Sequence, residues 1–386
     1  MSKKKDFFSK YNYSILIPAQ PKCIHFKECG GCSFQNYEYA SQLNLKKEFL
    51  QNLFKKEIKL TPSPEQYAYR NKMDFVYAFG NLGLREKGNY KKVIEIRECQ
   101  MMPSFAQEVY AKIYSSLQKY NVESYDYIEH KGFLRYISFR YSNKTKQIML
   151  IFNSTTPDDV QNTKLENIFE EIKSLVTSIY WFQYDGLTDI PVPNIKPVKI
   201  IGTETIEETI GDKIYLISPW SFFQVNVDVA KEVFERIKEN VSGNCIDLCC
   251  GVGAITIYVE NKTTSIIGIE QVSQAIELAN KNRILNKKTK PLFFVADMKD
   301  LLQFAPLEID TLIIDPPRAG LQKKVCERIL KSSPKKIIYM SCNPKTQKMD
   351  LDYLSKEYEL VSLEGFDMFP QTPHLETLAI LTRKED

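Results

Sequence analysis

CIDLCCGVGAITIYV, residues 245–259, reads as a short apolar strand, a glycine turn and the opening of a helix. It places Asp247, Gly251 and Gly253 at the junction. Glycines there let the backbone come close to a ligand and take conformations closed to other residues. Outward from it, SIIGIE ends in Glu270, 23 residues beyond Asp247, the spacing of an acid that bonds ribose hydroxyls. LFFVAD then ends in Asp297, which suits an adenine edge. A GxG pair alone says little, but acids closing three successive strands say more. The third glycine of a GxGxxG is missing, and with it the pyrophosphate cradle of a dinucleotide. S-adenosylmethionine, which carries no phosphate, fits these residues better.

Further apolar runs follow in IDTLIID, KKIIYMS, YELVSLEGF and TLAILT, with helical patterns such as SQAIELANKNRIL between several of them. Before them, Val229, Val233, Phe234 and Ile237 recur at helical spacing. Alternating strands and helices predict an α/β fold with a doubly wound, mostly parallel sheet. TLAILT is expected as a late strand closing one edge. The first half reads differently, with a helix over residues 37–56 and then strand-like alternation in NKMDFVYAFG, KKVIEIREC, FLRYISFRYS and KQIMLIFN. The proline cluster DIPVPNIKP marks a connection, so the boundary is expected near residue 200, dividing a mainly β unit (1–200) from the α/β unit (201–386).

Two further segments carry chemistry. LIIDPPRAGL puts Asp315 on a loop stiffened by two prolines, where a planar substrate would lie beside the methyl donor. YMSCNPKTQKMD holds Cys342 at the predicted carboxyl end of a strand, and Glu376 follows 34 residues later at the mouth of the next. A thiol and a carboxylate so placed form a nucleophile-and-base arrangement. His374 is the competing base.

CIHFKECGGCSF supplies Cys23, Cys29 and Cys32, and Cys99 follows far downstream. Four thiolates hold either a zinc ion or a [4Fe–4S] cluster. The C-x5-C-x2-C spacing is unusual for zinc, and its glycines let the chain wrap a bulky group. It is not the three-cysteine run that leaves an iron open, which points to a structural role. His25 is read as a spacer.

The motifs SFFQVN (221–226), DLCCGVG, IIGIE, IIDPPRAGL, MSCNPKT and DMFPQTPHLE, in this order, resemble those of the RNA uracil-5-methyltransferase family. The resemblance covers residues 221–376 together with the cysteine motif. It implies a methyltransferase fold in which Gln224, Glu270 and Asp315 bind S-adenosylmethionine, Cys342 is the nucleophile and Glu376 the base. It also implies a [4Fe–4S] cluster on Cys23, Cys29, Cys32 and Cys99. Cys249 stands where the family often has an aromatic residue against the adenine, and Ala254 replaces a frequent asparagine. EQYAYRNKMDF and LGLREKG look most like archaeal-type members that act on tRNA. The cysteine motif begins at residue 23, leaving no room before it for the small β-barrel that some members carry. Uridine 54 of the tRNA T-loop is therefore the expected target, with a ribosomal RNA uridine as competitor.

RNA contact is expected from KGFLRYISFRYSNKTK (131–146), where Phe133, Tyr136, Phe139 and Tyr141 interleave with five basic residues, and from Arg70 and Lys72. Two other classes fit the residues less well. A cytosine-5 enzyme would place a cysteine in the DPPR loop, where there is none. A non-catalytic Fe–S RNA-binding protein would not need Cys342, Glu376 and Asp315 together.

Composition agrees. The chain has 386 residues, net charge +4 and 26% charged residues, which is compatible with an anionic partner. Nine cysteines and no apolar leader behind the basic start predict a cytoplasmic protein without a disulfide framework. No apolar run reaches the roughly 18 residues of a membrane span, and nothing calls for an obligate protein partner.

Overall fold

The computed structural model describes residues 13–304 and 308–385. The basic start read above, at residues 1–10, lies outside them. No helix among the described residues is long and apolar enough to cross a membrane.

The second half is built on an eight-stranded sheet. Its spatial order is Lys59–Thr61, Tyr358–Phe366, Glu376–Arg383, Lys336–Ser341, Thr311–Ile314, Asn244–Leu248, Ser265–Glu270 and Pro291–Val295. The Asn244–Leu248 strand pairs in parallel on both sides, Asp247 facing Gly268 in one neighbour and Ile313 in the other. Strand order reverses there, and in such sheets ligands bind beyond the carboxyl ends at that point. The helix Val227–Asn240 leads into it, capped by the Asn226 side chain, with Val229, Val233, Phe234 and Ile237 buried as their spacing predicts.

TLAILT does not close an edge. Glu376–Arg383 runs antiparallel between Lys336–Ser341 and Tyr358–Phe366, hydrogen-bonded to both. The reason is its composition: residues 376–381 are all buried, and a run apolar on both faces belongs inside a sheet. The edge is instead Lys59–Thr61, which pairs in parallel with Glu364–Phe366. The predicted first helix, Tyr39–Phe54, ends on a left-handed Lys55 and buries Leu45, Phe49, Leu50 and Phe54. They share a core with Leu363 and Leu381 of the same sheet. Full burial of such side chains contributes about 1.5–3 kcal/mol each.

A seven-stranded sheet forms most of the first half, in the order Asn89–Glu95, Asn81–Glu86, Lys72–Ala78, Leu134–Tyr141, Ile148–Ser154, Ser178–Gln183 and Lys199–Gly202. Two helices not anticipated from the sequence, Ser104–Lys119 and Asp159–Ile172, share its core. The second crosses between the parallel pair Ile148–Ser154 and Ser178–Gln183. Its signals are an Asp158 N-cap and buried Leu165, Ile168, Phe169 and Ile172.

The aromatic residues of the stretch 131–146 do not form an exposed platform for RNA, although Lys131, Lys144 and Lys146 at its ends are exposed. Every residue of its strand Leu134–Tyr141 is buried, and so is Phe133. Arg135 is fully buried, its guanidinium 4.6 Å from the centre of the Tyr125 ring and donating to the Tyr184, Gly186 and Thr188 carbonyls. Central position in the sheet, covered on both faces, turns these side chains into core.

Candidate functional site

The cofactor end is the loop Cys249–Gly253. Cys249, Gly251 and Gly253 all have positive φ, +63°, +54° and +78°. For glycine this is free, whereas for Cys249 it is strained. A side chain at Gly251 would meet nothing within 4 Å, so this glycine opens onto space, while one at Gly253 would come within 2.7 Å of the Phe293 ring. Glu270 anchors the loop, its Oε2 accepting from the Gly251 N–H (3.3 Å) and its Oε1 from the Val272 N–H (3.0 Å). Cys249 Sγ lies 4.0 Å from the Met298 sulfur, a soft wall on the side expected for the adenine.

Acids converge at the strand ends. Asp247 is fully buried, with Oδ2 accepting from Thr256 Oγ1 at 2.6 Å and Oδ1 without a partner among the described residues. Burial, and then Glu270, push its carboxyl up to about 7. Asp315 is likewise raised to about 7, by burial and by Asp247, and its Oδ2 accepts from Gln224 Nε2 at 3.3 Å. Asp297 caps the next turn and pairs with Lys299, and the Lys299 N–H holds its carboxyl below the usual range. Such a pocket welcomes the ammonium and sulfonium charges of S-adenosylmethionine and repels phosphate.

Cys342 and Glu376 lie one residue beyond the paired Ser341 and Thr377, so the register itself brings thiol and carboxylate together. His374 lies two residues further out along the loop. Glu376 is 4% exposed, and its Oε2 has no partner among the described residues. Burial, with Asp315 beside it, pushes its carboxyl well above the ordinary range, opposed by Arg318. Burial and Glu376 raise the Cys342 thiol to about 11, and Arg318, hydrogen-bonded to it, pulls the other way. The helix Pro344–Leu354 starts two residues after the thiol, and the positive end of its dipole favours a thiolate.

Arg318 was not singled out in the sequence, although it stands in DPPRAG. Its carbonyl accepts from Asn343 Nδ2 (3.0 Å) and Thr346 Oγ1 (3.3 Å), which ties its loop to that of Cys342. An arginine directly after a rigid DPP turn was the available signal.

Cys23, Cys29, Cys32 and Cys99 line one cavity of about 570 Å³, together with Arg70, Lys72, Arg140 and the exposed Phe222. Burial raises all four thiols, Cys32 to about 11 and Cys99 to about 12, with smaller contributions from the charge of Glu98 at Cys23 and from neighbouring thiols at the other three. Among the described residues, no three His, Cys, Asp or Glu side chains converge on a point that would hold a single ion. His25 is engaged elsewhere, its Nε2 accepting from the Arg97 N–H at 3.1 Å.

Residues 199–384 match the tRNA (uracil-5-)-methyltransferase family. The tRNA (uracil(54)-C(5))-methyltransferase of Pyrococcus furiosus is 33% identical over 372 residues, covering 96% of this chain and 87% of that one. An uncharacterized RNA methyltransferase of Nanoarchaeum equitans is 36% identical, over 94% of this chain and 80% of its own length. The crystal structure of the Pyrococcus abyssi tRNA (uracil-54, C5)-methyltransferase in complex with S-adenosyl-L-homocysteine superposes with a TM-score of 0.79 at 30% identity, covering 92% of this chain and 86% of that one. With its fold, its acid-lined strand ends and its paired thiol and carboxylate, this chain belongs to the tRNA (uracil-5-)-methyltransferase family.

Proposed function

We propose that this protein transfers a methyl group from S-adenosylmethionine to carbon 5 of uridine 54 in the T-loop of tRNA. The observation that carries it is the meeting of Cys342, Glu376 and Arg318 at adjacent strand ends beside Asp315. Carbon 5 of uracil is a weak nucleophile. Addition of the Cys342 thiolate to carbon 6 pushes the ring's electron pair towards carbon 5 and the carbon-4 oxygen, and carbon 5 then takes the methyl group. When bound, S-adenosylmethionine supplies that methyl and leaves as S-adenosylhomocysteine. Glu376 removes the carbon-5 proton, the C5=C6 bond re-forms, and the C6–S pair returns to Cys342 as thiolate. A carboxylate made more basic by burial serves this better than a solvated one.

In this reading Gln224, Asp315 and Asp247 face the charged end of the cofactor, Gly251 and Glu270 its ribose, and Cys249 and Asp297 its adenine. The division near residue 200 separates a unit that grips RNA from one that transfers the methyl group. Arg70 and Lys72, half-buried at the rim of the cysteine cavity, and the exposed Lys131, Lys144 and Lys146 are basic residues placed to meet RNA. The target base must leave its stack to reach Cys342, at a cost of a few kcal/mol.

Cys23, Cys29, Cys32 and Cys99 hold a [4Fe–4S] cluster in this reading. Four thiols lining one chamber of about 570 Å³ leave room for a bulky cluster, and the C-x5-C-x2-C spacing is unusual for zinc. A cytoplasmic place, where tRNA is modified, completes the assignment.

The test is to offer S-adenosylmethionine with unmodified tRNA transcript, the same transcript with uridine 54 changed to cytidine, and a large-subunit ribosomal RNA fragment. Nucleoside mass spectrometry should find 5-methyluridine in the first alone. Methylation of the ribosomal fragment alone rejects the tRNA assignment, and none in any sample rejects the reaction.

A further inference from the structure

The catalytic thiol and the catalytic base are held from different parts of the chain. Around Cys342, Asn343 bonds Ser341 and Arg318, Thr346 bonds Arg318, and Thr377 bonds Ser341 and Gln347. All of these residues belong to the second half.

The loop that leads into Glu376 is held mainly from the first half. Asp367 receives Lys46 Nζ at 2.6 Å and Tyr39 OH at 2.8 Å. The Pro370 carbonyl accepts from Tyr69 OH at 3.1 Å. Gln371 carries the densest set: its carbonyl accepts from the N–H groups of both Ser33 (2.9 Å) and Phe34 (3.0 Å), and its side-chain Oε1 from Gln42 Nε2 (3.0 Å). Ser33 directly follows Cys32. Gln371 is 2% exposed with φ +65°, a left-handed conformation that glutamine seldom adopts and that these bonds maintain.

We infer that Gln371 is a positioning residue that passes the order of the cysteine segment to Glu376, so that the elimination half of the reaction depends on that segment while adduct formation and methyl transfer do not. The inference rests on the function proposed above. In the dependent step Glu376 takes the carbon-5 proton, the C–H pair re-forms the C5=C6 bond, and the C6–S bond breaks with its pair returning to Cys342. A small displacement of the base slows only this step, on the order of ten- to a hundredfold.

Single-turnover reactions of the cluster-loaded protein separate the two halves. Methyl transfer into the protein–RNA adduct is followed with labelled S-adenosylmethionine. Proton removal is followed by release of tritium from tRNA labelled at carbon 5 of uridine. Gln371→Gly keeps the left-handed backbone and removes the side-chain bond, and Gln42→Leu removes the same bond from its other end together with the Gln42 bonds to the Phe34 and Tyr37 carbonyls. Both are expected to form methylated adduct within about twofold of the unsubstituted rate and to release tritium at least tenfold more slowly, with adduct persisting on a denaturing gel. Anaerobic protein stripped of iron should reproduce this split. Methyl transfer and tritium release falling in parallel, or both staying unchanged in the two variants, overturns the inference. Absence of methyl transfer by the unsubstituted protein overturns the reading beneath it instead.

Discussion

Affinity for S-adenosylmethionine should fall steeply as the medium is acidified from pH 8 to pH 6. Asp247 is buried and Asp315 half-buried beside it at the strand ends, each raised to about 7, and each must be ionised to face a cationic ligand. A carboxyl that titrates at about 7 goes from about nine-tenths ionised at pH 8 to about one-tenth at pH 6. Binding should weaken roughly tenfold through one carboxyl, and up to roughly a hundredfold if both must be charged. Stability runs the other way. A raised carboxyl stabilises the ligand-free fold fully below its unfolded value of about 3.9, and this contribution disappears as pH rises through about 7. These two groups therefore raise the melting temperature of the free protein at pH 6 relative to pH 8, while the shift on adding cofactor is larger at pH 8. Calorimetric titration at pH 6, 7 and 8 measures the first effect, and Asp315→Asn should bind weakly at all three. S-adenosylhomocysteine, which lacks the sulfonium charge, should show the shallower slope. A dissociation constant steady within about twofold across this range would refute the assignment of these acids to the cofactor's charge.

Replacing Cys342 by Ala should abolish methyl transfer, with cofactor binding by calorimetry changed less than about threefold, because in the proposed reaction the thiol acts only on the uracil ring. Glu376→Gln should trap methylated RNA on the protein, seen as a slow band on a denaturing gel. With Arg318→Ala the Cys342 thiol loses the cation that lowers it and titrates higher, so the pH at which adduct formation is half-maximal should rise; an unmoved profile would exclude Arg318 as activator. Replacing Cys29 or Cys99 by Ser should bleach the brown colour expected of anaerobically prepared protein and remove its iron, about four per chain by metal analysis. Stoichiometric zinc in the unsubstituted protein would refute the cluster.

What could be read from the sequence follows from where burial is symmetrical. The parallel strands beside Asp247, Glu270 and Asp315 are short, apolar and closed by acids, so their ends and the gathering of those acids there were legible together. The loop Cys249–Gly253 declared itself by glycine. Glu376–Arg383 was recognised as a strand but misplaced, because position within a sheet depends on what covers both faces rather than on the run itself. Phe133 and Tyr136 were read as an RNA platform because alternating aromatic and basic residues look alike in a groove and in a core that buries its arginine against carbonyls and rings. Arg318 was passed over because its importance lies in which thiol it reaches, and that distance is set by a partner strand. The joining of Tyr39–Phe54 and Lys59–Thr61 to the far sheet left no local mark at all.

That joining bears on how the chain reaches its native state. Lys46 and Asp367, 321 residues apart in sequence, form an ion pair with both side chains fully hidden from water. Leu60 is zipped to Gly365 in the same region. Such closures come late, since the entropy of a long loop must be lost before the contact rewards it. Until then the Tyr358–Phe366 strand has an open edge, and the apolar bed that receives Leu45, Phe49 and Leu50 lies bare, a surface inviting association between chains. A fragment beginning near residue 200 would remain in that condition permanently. Recombinant production of the transferase half should therefore retain the segment from Tyr39 to Thr61, supplied in the same chain or as a separate peptide, and the yield of soluble monomer with and without it would measure how much of the fold waits on this late clasp.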